Sequence, residues 1–335
     1  MKNLSQIIKR QFQNKTIVIV GDLVADQFLR GTIARVSREA PVFILRHDET
    51  ETLAGGAANA AANVASLGGN AVLVGVVGRD ANGAALLEKL AAAGVDCDHT
   101  IVSPEFTTTT KVRVLAGQHY APRQQVIRID YENQRELDSE TLERLEKSLQ
   151  EAVNKADALI VSDYNYGVAN RRVAALARRI ATEKRVPLLV DSRFRLTEFE
   201  GATTATPNQE EVEQILGANF TPENCAALCR RLGYEALLVT RGNKGMILVE
   251  PDKAPFHLEA VGSKEPVDVT GAGDTVIAAY ALGLAAGLGF AESADLANRA
   301  GGIVVMKKGT ACVGADELIA SLANAAASGR KAQTL

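Results

Sequence analysis

Short apolar runs that each stop at polar residues constrain the fold of this chain more than any other feature. Residues 16–20, TIVIV, lead to Asp22, and residues 158–161, ALIV, lead to Asp163. Amphipathic stretches with a helical repeat, such as 139–154, separate runs of this kind. Continuous apolar runs alternating with helices are typical of parallel strands buried on both faces. We therefore predict an α/β fold with a doubly wound, mostly parallel sheet flanked by helices.

Composition and charge exclude several classes of protein. The 335 residues are 47% hydrophobic, enough for one large domain spanning 1–335. A formal net charge of -3 gives no general attraction to nucleic acid or to an anionic membrane. The N-terminus has no signal pattern, and no apolar run approaches the length of a membrane span. With only 4 scattered cysteines, we expect a reduced, cytoplasmic protein without nucleic-acid or membrane partners.

The most informative local motif is the stretch 268–275, DVTGAGDT, followed by the apolar run 276–282. Its glycines permit positive φ at a strand-to-helix turn, and the N–H groups of the first helical turn can bind an anion. A carboxylate placed there, Asp274, can accept a proton from a hydroxyl group. The alternative is that Asp274 is an ordinary helix cap. Val276 replaces the third glycine of a dinucleotide fingerprint, which argues against a nicotinamide dehydrogenase.

Two segments, 27–50 and 107–130, mix apolar and basic residues and differ from the buried strands. We predict two or three short strands in the first segment, and a small antiparallel sheet that joins both segments as a lid over a site. Alternation places Lys111 and Arg113 on one face. A basic face suits an anionic substrate such as a sugar phosphate, although an ordinary solvated face is the alternative. The basic residues assigned to this face are Arg35, Arg38, Lys111, Arg113 and Arg128.

Further candidate ligand residues follow the predicted strands. In open α/β sheets, ligands bind beyond the carboxyl ends of the strands, where Asp22 and then Asp26 are expected. The Gly55-Gly56 pair opens an Ala-rich helix in which Asn59 and Asn63 share one face. These amides either meet a hydroxyl-rich ligand or face water.

Asn208 and Glu211 lie three positions apart at the start of another predicted helix. On one helical face they could organise a hydrated magnesium ion, which prefers a few carboxylates together with waters and phosphates. The alternative is a capping box, in which the two side chains satisfy the backbone at the start of the helix.

Taken in order, these features resemble the ribokinase-like (PfkB) family of carbohydrate kinases over nearly the whole chain. The segments that carry the resemblance are 21–22, 55–59, 208–211, 240–245 and 268–274. The resemblance implies a ribokinase-like fold and a phosphotransferase that uses ATP and Mg²⁺. It also implies that Asp274 is the base that deprotonates the acceptor hydroxyl.

The same resemblance assigns the remaining site residues. Gly271, Ala272 and Gly273 would form the anion hole for the transferred phosphoryl group, while Asn208 and Glu211 would hold magnesium through water. A monovalent cation such as K⁺, common in the family, would lie near Asp268 and Thr270. The residues that would border ATP are Thr240, Gly242, Gly245 and Asn298.

Within the family, segments 34–42, 110–115 and 124–130 are similar to the lid of the heptose 7-phosphate kinases. This similarity implies phosphorylation of D-glycero-β-D-manno-heptose 7-phosphate to the 1,7-bisphosphate, a step towards the lipopolysaccharide core. Such kinases are often fused to a nucleotidyltransferase; here we expect the kinase activity alone. The chain departs from the family pattern at Tyr166, where lysine is usual, and at 192–194, where Ser-Arg-Phe replaces Pro-Lys-Gly.

Two other functions stay open at this point. The acceptor could be ribose, fructose, a hexose phosphate or a nucleoside, which would remove the argument for a basic lid. The chain could also be a non-catalytic sensor of sugars or nucleotides, although a sensor has no need of Asp274. We further expect a homodimer that forms through the lid.

Overall fold

The computed structural model describes residues 3–117, 123–133, 136–263 and 265–332. Five residues of the second predicted lid segment, 118–122, lie outside the described residues. The helices are α1 Leu4–Gln11, α2 Ala57–Ser66, α3 Ala81–Ala92, α4 Ser139–Ala152, α5 Arg171–Lys184, α6 Gln209–Leu216, α7 Pro222–Leu232, α8 Ala272–Ala285, α9 Phe290–Val304 and α10 Ala315–Ala332. The strands are β1 Thr16–Gly21, β2 Leu23–Val36, β3 Phe43–Gly56, β4 Asn70–Gly78, β5 Thr100–Ser103, β6 Thr110–Gly117, β7 Gln124–Tyr131, β8 Ala158–Asp163, β9 Leu188–Ser192, β10 Thr204–Ala205, β11 Ala236–Thr240, β12 Met246–Val249 and β13 Phe256–Leu258.

The main sheet of the described residues has nine strands in the order β13-β12-β11-β10-β9-β8-β1-β4-β5. The strands from β11 to β5 run parallel, and β12 and β13 add an antiparallel edge. Along β1, Ile17 and Ile19 join the core beneath α2, α8 and α9, whereas Val18 and Val20 join the core beneath α4, α5 and α7. Helices therefore cover both faces, and the predicted doubly wound parallel sheet is confirmed.

The order of the strands creates a crevice beside β1. The chain runs from β1 to β4 on one side and places β8 on the other side, so the direction of winding reverses between β1 and β8. Gly21 at the end of β1 pairs with Ser162 near the end of β8. Ligands bind in such a crevice, beyond the carboxyl ends of the strands. Asp22 and Tyr164 come directly after these two strand ends.

A smaller sheet in the order β3-β2-β6-β7 contains most of the two predicted lid segments. The first segment does not form two or three short strands, because β2 and β3 are each 14 residues long and extend from Leu23 to Gly56. The expectation of an antiparallel sheet is also wrong at the centre, where β2 pairs with β6 in parallel. Between β3 and β6 the chain contributes β4 and β5 to the main sheet. A long connection of this kind permits parallel pairing, whereas a hairpin permits only antiparallel pairing.

None of the helices described by the model is long and apolar enough to cross a lipid bilayer.

The close approach of the parallel strands β1 and β8 at Gly21 can be tested by mutation. A Cβ atom added at Gly21 would lie 2.0 Å from the carbonyl oxygen of Ser162, which is backbone and cannot turn aside. We expect Gly21→Ala to lower the free energy of unfolding by about 1–3 kcal/mol, the usual cost of overpacking. Gly289→Ala is the control, since its Cβ would meet only Glu292 Oε2 at 3.9 Å. Chemical denaturation that shows equal losses for both variants would contradict this account.

Candidate active site

The carboxylate of Asp274 lies at the centre of the crevice. Asp274 stands in the first turn of α8, after Gly271, whose φ of 75° is favourable for glycine. Its side chain is buried, with 2% of the residue exposed. Asn59 Nδ2 donates to Asp274 Oδ2 at 2.7 Å, and the hydroxyl of Tyr164 donates to Asp274 Oδ1 at 2.8 Å. Both oxygens therefore have a fixed direction, and each retains a lone pair for a further donor.

The environment of Asp274 gives it the properties of a base near neutral pH. Burial raises the pKa of Asp274 to about 7, while the hydrogen bonds from Asn59 and Tyr164 act in the opposite direction. General bases work best when their pKa lies close to the operating pH. Asp274 is therefore suited to accept a proton, which an ordinary exposed cap with a low pKa is not.

A chain of side-chain hydrogen bonds fixes the orientation of Asn59. The hydroxyl of Thr275 donates to Asn63 Oδ1 at 2.9 Å, and Asn63 Nδ2 donates to Asn59 Oδ1 at 3.2 Å. With its oxygen engaged by Asn63, Asn59 turns its amide nitrogen to Asp274. Both asparagines are fully buried, so the alternative that they face water is wrong. The predicted shared face of Asn59 and Asn63 packs against α8.

The glycines before Asp274 leave room around the start of α8. A Cβ atom at Gly271 would lie 2.4 Å from Asn59 Nδ2, so only glycine leaves this amide in place. At Gly273 the nearest heavy atom to such a Cβ would be Asp191 Oδ2, at 3.9 Å. Space and backbone N–H groups at a helix start are the requirements of an anion hole. The assignment of Gly271, Ala272 and Gly273 to this hole stays a prediction.

Asp268 holds the turn that leads into this helix. Its carboxylate accepts the N–H of Thr270 at 2.9 Å and the N–H of Gly309 at 2.9 Å. Burial raises the pKa of Asp268, but these backbone hydrogen bonds outweigh burial and leave the pKa below its ordinary value. The carboxylate therefore stays ionised and ties two loops together. A monovalent cation beside Asp268 and Thr270 stays a prediction.

Asp22 was expected to meet a ligand, but its carboxylate binds the backbone of the loop after β8. It is fully buried, and its two oxygens accept the N–H groups of Tyr164, Tyr166 and Val168 at 2.8, 3.0 and 2.9 Å. Burial raises the pKa of Asp22 to about 6, and the three N–H groups counter that rise. The carboxylate folds the loop after β8 around itself. Its direct contact with a substrate stays a prediction.

The small sheet brings a second carboxylate and two cations towards the crevice. Asp26 of β2 forms an ion pair with Arg113 of β6. Lys111 lies directly opposite Asp26 in the pairing of these two strands. Lys111 is 8% exposed. Its ammonium lies 5.8 Å from the ring of Tyr164 and 5.4 Å from the ring of Tyr166. Within the described residues this ammonium forms no ion pair, so a buried cation is available for an anionic ligand.

The two glycines at the end of β3 allow this approach. A Cβ atom at Gly55 would lie 2.6 Å from Asp26 Oδ2, and one at Gly56 would lie 2.6 Å from the carbonyl oxygen of Asp22. Gly56 also has a φ of 59°. Both positions therefore need glycine for packing, and their contact with a substrate stays a prediction.

The basic residues of the predicted lid face do not all converge. Arg113 pairs across the strands with Arg128, which puts both on the inner face with Asp26. Arg128 is committed to Asp130 in the same strand through two hydrogen bonds. Arg35 is exposed near the far end of β2, and Arg38 is exposed in the loop beyond it. The structure thus groups Lys111, Arg113 and Arg128 and leaves the other two arginines apart.

A cleft that Gly273 lines in part contains the residues expected to border ATP. Asn298 is 5% exposed, and its amide donates to the carbonyl of Glu259 at 2.7 Å, which fixes one wall. At Gly245 a Cβ would lie 1.9 Å from the carbonyl oxygen of Leu258, so this glycine is needed for packing. The cleft is lined by Thr240, Gly242, Asn243, Gly245, Met246, Ala260, Val261, Ser263, Pro266, Val269, Ala272, Gly273, Val276, Asn298, Gly301, Gly302 and Val305.

Asn208 and Glu211 form the capping box that was the alternative to a magnesium site. Asn208 Oδ1 accepts the N–H of Glu211 at 2.9 Å, and Glu211 Oε2 accepts the N–H of Asn208 at 2.8 Å. Burial raises the pKa of Glu211 above its ordinary value. Each side chain keeps oxygen lone pairs for waters of a hydrated ion, so the two functions are compatible.

Two residues near Asp274 were not assigned to the site from the sequence. Tyr164 donates directly to the carboxylate. Asp191, at the end of β9, lies beside Gly273, and burial together with the charge of Asp274 raises its pKa well above the ordinary value. Both residues follow apolar runs, as Asp22 does, and that signal marked the strand ends without showing which side chains turn inward.

The model of the pfkB family of carbohydrate kinases matches residues 14–316. The chain belongs to this family. Bifunctional protein HldE of Caulobacter vibrioides is 39% identical over 326 residues, which cover 95% of this chain and 65% of that protein. Bifunctional protein HldE of Chromohalobacter salexigens is 42% identical over 313 residues, which cover 91% of this chain and 63% of that protein. The chain thus spans just under two thirds of these relatives.

Solved structures agree on the fold of this pfkB family member. Ribokinase of Arabidopsis thaliana, complexed with ribose and ATP, has a TM-score of 0.70 and 22% identity, and the match covers 92% of this chain and 98% of that one. Phosphofructokinase-2 of Escherichia coli, in complex with potassium, has a TM-score of 0.73 and 18% identity, with coverage of 92% and 98%. At these identities the likeness shows the ribokinase-like fold alone.

The contact between Gly271 and Asn59 gives a test of the site. We expect Gly271→Ala to cost about 1–2 kcal/mol of stability, because alanine at positive φ is strained, and to lower turnover, because its methyl group displaces the Asn59 amide from Asp274. Gly273→Ala is the control for stability, since its Cβ has room. Thermal unfolding and steady-state assays check both effects. A Gly271→Ala protein with wild-type turnover would show that the Asn59 contact is dispensable.

Proposed function

We propose that the chain is an ATP-dependent kinase that transfers the γ-phosphoryl group of ATP to D-glycero-β-D-manno-heptose 7-phosphate, giving the 1,7-bisphosphate. The observation that carries this proposal is the buried Asp274, held at the start of α8 between the cleft at Asn298 and the basic face at Lys111. Family membership supports a carbohydrate acceptor. The relatives called bifunctional protein HldE and the lid segments support a heptose phosphate.

The proposed mechanism is direct in-line transfer. The nucleotide lies in the cleft, and the acceptor hydroxyl donates a hydrogen bond to Asp274, which takes its proton as the oxygen attacks the γ-phosphorus. The bond between the γ-phosphorus and the oxygen that bridges it to the β-phosphate breaks on the opposite side, and ADP leaves with that oxygen. The N–H groups of Gly271, Ala272 and Gly273 stabilise the charge on the transferred group, for which the Ala272 N–H must leave the carbonyl of Val269, 3.2 Å away. Such reactions depend on positioning and charge stabilisation more than on covalent chemistry. The two hydrogen bonds on Asp274 supply that positioning before the substrate arrives.

Magnesium fits the hard oxygen ligands of Asn208 and Glu211, which would hold it through water. When bound with ATP, the ion supplies neutralisation of the phosphate charge. K⁺ would lie near Asp268 and Thr270, where the Asp268 carboxylate is ionised. The chain itself contributes the capping box that fixes Asn208 and Glu211 in place.

We propose that the small sheet acts as the lid of one kinase domain covering 1–335. Its inner face already approaches the site, since Cδ1 of Leu53 would lie 3.3 Å from a Cβ atom at Gly309, the residue that binds Asp268. Closure would exclude water, which would otherwise hydrolyse ATP. Because ATP and a sugar phosphate are the proposed substrates, we assign the reaction to the cytoplasm.

We also propose a homodimer through the outer face of the small sheet. Ile127, Ile129 and Tyr131 alternate along β7 on the face opposite Arg128, and they are 53%, 43% and 50% exposed. Apolar surface of this kind favours association. We expect the mass in solution to be that of a dimer and Ile127→Asp to shift it towards the monomer. A strictly monomeric wild-type protein would rule out this assembly.

Removal of the base is the first test of the mechanism. We expect Asp274→Asn, which keeps the shape and removes the proton acceptor, to lower kcat by roughly 10²- to 10⁴-fold. ATP affinity should change little, because the cleft is untouched. Asp252→Asn is the control, since Asp252 is an exposed acid that pairs only with Arg230 in the described structure. Near-normal turnover by Asp274→Asn would remove Asp274 from the role of base.

The acceptor is tested by a panel of sugars and sugar 7-, 6- and 1-phosphates, assayed by ADP release with magnesium-ATP. We expect heptose 7-phosphate to be preferred and Lys111→Met to raise its KM about 10- to 100-fold, because a charge-assisted contact is lost. Lys147→Met, on an exposed helix position, is the control and should leave KM unchanged. Preference for unphosphorylated sugars would reject the basic lid. ATP binding without turnover on any acceptor would favour a sensor.

A further inference from the structure

The hydroxyl of Tyr164 is the second of the two donors that fix the Asp274 carboxylate. It lies 2.8 Å from Asp274 Oδ1, opposite the oxygen that Asn59 binds. Burial and the neighbouring Asp274 raise the pKa of Tyr164 well above its ordinary value. The phenol therefore keeps its proton and acts as the donor, and the carboxylate is the acceptor.

The backbone of Tyr164 is fixed as firmly as its hydroxyl. Asp22 accepts its N–H at 2.8 Å and the N–H of Tyr166 at 3.0 Å, and Asn165 between them has a φ of 63°. A buried carboxylate that gathers the N–H groups of one loop gives that loop a single conformation. The backbone position of Tyr164 is therefore set by Asp22, which follows β1, and by the loop after β8.

The other side of the same ring contacts the proposed phosphate cation. The Lys111 ammonium lies 5.8 Å from the centre of the Tyr164 ring, within the range of a cation–π interaction. Tyr164 thus touches the base through its hydroxyl and the cation of the basic face through its ring. In the described structure it connects the main sheet with the small sheet at the point where the acceptor is proposed to lie.

We propose that Tyr164 is a positioning residue for the phosphoryl transfer: its hydroxyl orients Asp274 towards the acceptor, and its ring holds Lys111 at the acceptor's own phosphate. This inference rests on the proposed function and deepens it, since it links the base to the substrate-phosphate pocket. The two contacts belong to different atoms of one side chain, so different substitutions can separate them.

The other titratable groups around Asp274 must be kept constant in any test of its titration. Those that face it from the surrounding elements are Asp26 of β2, Lys111 of β6, Asp191 of β9 and Cys312 in the segment between α9 and α10. Tyr164→Phe leaves all of them in place. It removes one hydrogen bond to the charged form of the carboxylate, and such a bond favours ionisation.

The expected results differ between two substitutions at this position. The wild-type pH profile of kcat/KM should fall below about pH 7, because Asp274 must be ionised to accept a proton. Tyr164→Phe should move this acid limb up by about one pH unit and lower kcat about tenfold, with the acceptor KM unchanged, because the ring remains beside Lys111. Tyr164→Leu should in addition raise the acceptor KM roughly threefold to thirtyfold.

Tyr166→Phe is the matched control. Its ring also lies near Lys111, but its hydroxyl donates to Glu132 at 3.2 Å and does not contact Asp274. It should therefore leave the acid limb where it is in the wild type. Thermal unfolding verifies that each variant is folded, and ATP affinity verifies that the nucleotide cleft is intact.

A second measurement does not depend on turnover. Titration of the Asp274 carboxyl by ¹³C NMR in the full-length, ligand-free protein should give a higher pKa in Tyr164→Phe than in the wild type and in Tyr166→Phe. An unmoved carboxyl pKa and an unmoved acid limb in folded Tyr164→Phe would overturn the proposal. A raised carboxyl pKa in a protein that phosphorylates no acceptor would retain the positioning of Asp274 and reject the proposed function.

Discussion

The two hydrogen bonds that hold the buried Asp274 carboxylate are the interaction on which the rest of the site depends. They join residues far apart in the chain, since Asn59 is 215 positions from Asp274 and Tyr164 is 110 positions away. A carboxylate buried without such donors would be neutral at physiological pH. With them it has a pKa of about 7, a fixed direction and free lone pairs. The helices α2 and α8 and the loop after β8 must all be in place for this to occur.

The same edge of the sheet contains two buried acids, Asp22 and Asp26, and the half-buried Asp268, and each is stabilised in its own way. Asp22 is surrounded by backbone N–H groups of one loop, Asp268 by those of two loops, and Asp26 by the guanidinium of Arg113. Lys111 contributes a positive charge that forms no ion pair within the described structure, although Asp26 and Asp130 lie close enough to act on it. A cation that forms no ion pair therefore lies close to the base Asp274, an arrangement that suits the proposed phosphorylated acceptor.

Much of the fold could be predicted from the sequence, because its strongest signals are local. The apolar runs fixed the parallel strands, and the glycines of 268–275 marked the start of α8. The pairing of β2 with β6 could not be predicted in this way, since nothing in either strand encodes the crossover that brings them together in parallel. Strand length was also wrong, because the mixture of apolar and basic residues in 27–50 predicted two or three short strands where β2 and β3 are each 14 residues long.

The site could be predicted where a local motif contains the functional residue. It could not be predicted where contacts between segments distant in the sequence determine the function. Asp274 could be chosen from its position after two glycines. The spacing of Asn59 and Asn63 indicated a shared face, but the partner of that face became visible only with α8 packed against it. Tyr164 could not be chosen from the sequence because a tyrosine after a strand end is common, and its hydrogen bond to Asp274 is what distinguishes it. Arg35 and Arg38 share the basic composition of the lid and lie away from the crevice.

The central claim is that this chain moves the terminal phosphoryl group of ATP to the anomeric hydroxyl of a sugar that already carries a phosphate. Phosphorus-31 NMR of the purified protein with magnesium-ATP and heptose 7-phosphate tests that claim directly. We expect loss of the γ-phosphorus signal and the appearance of one new sugar phosphate ester at C1, beside the unchanged ester at C7. Release of inorganic phosphate alone, or a new ester at another carbon, would contradict it.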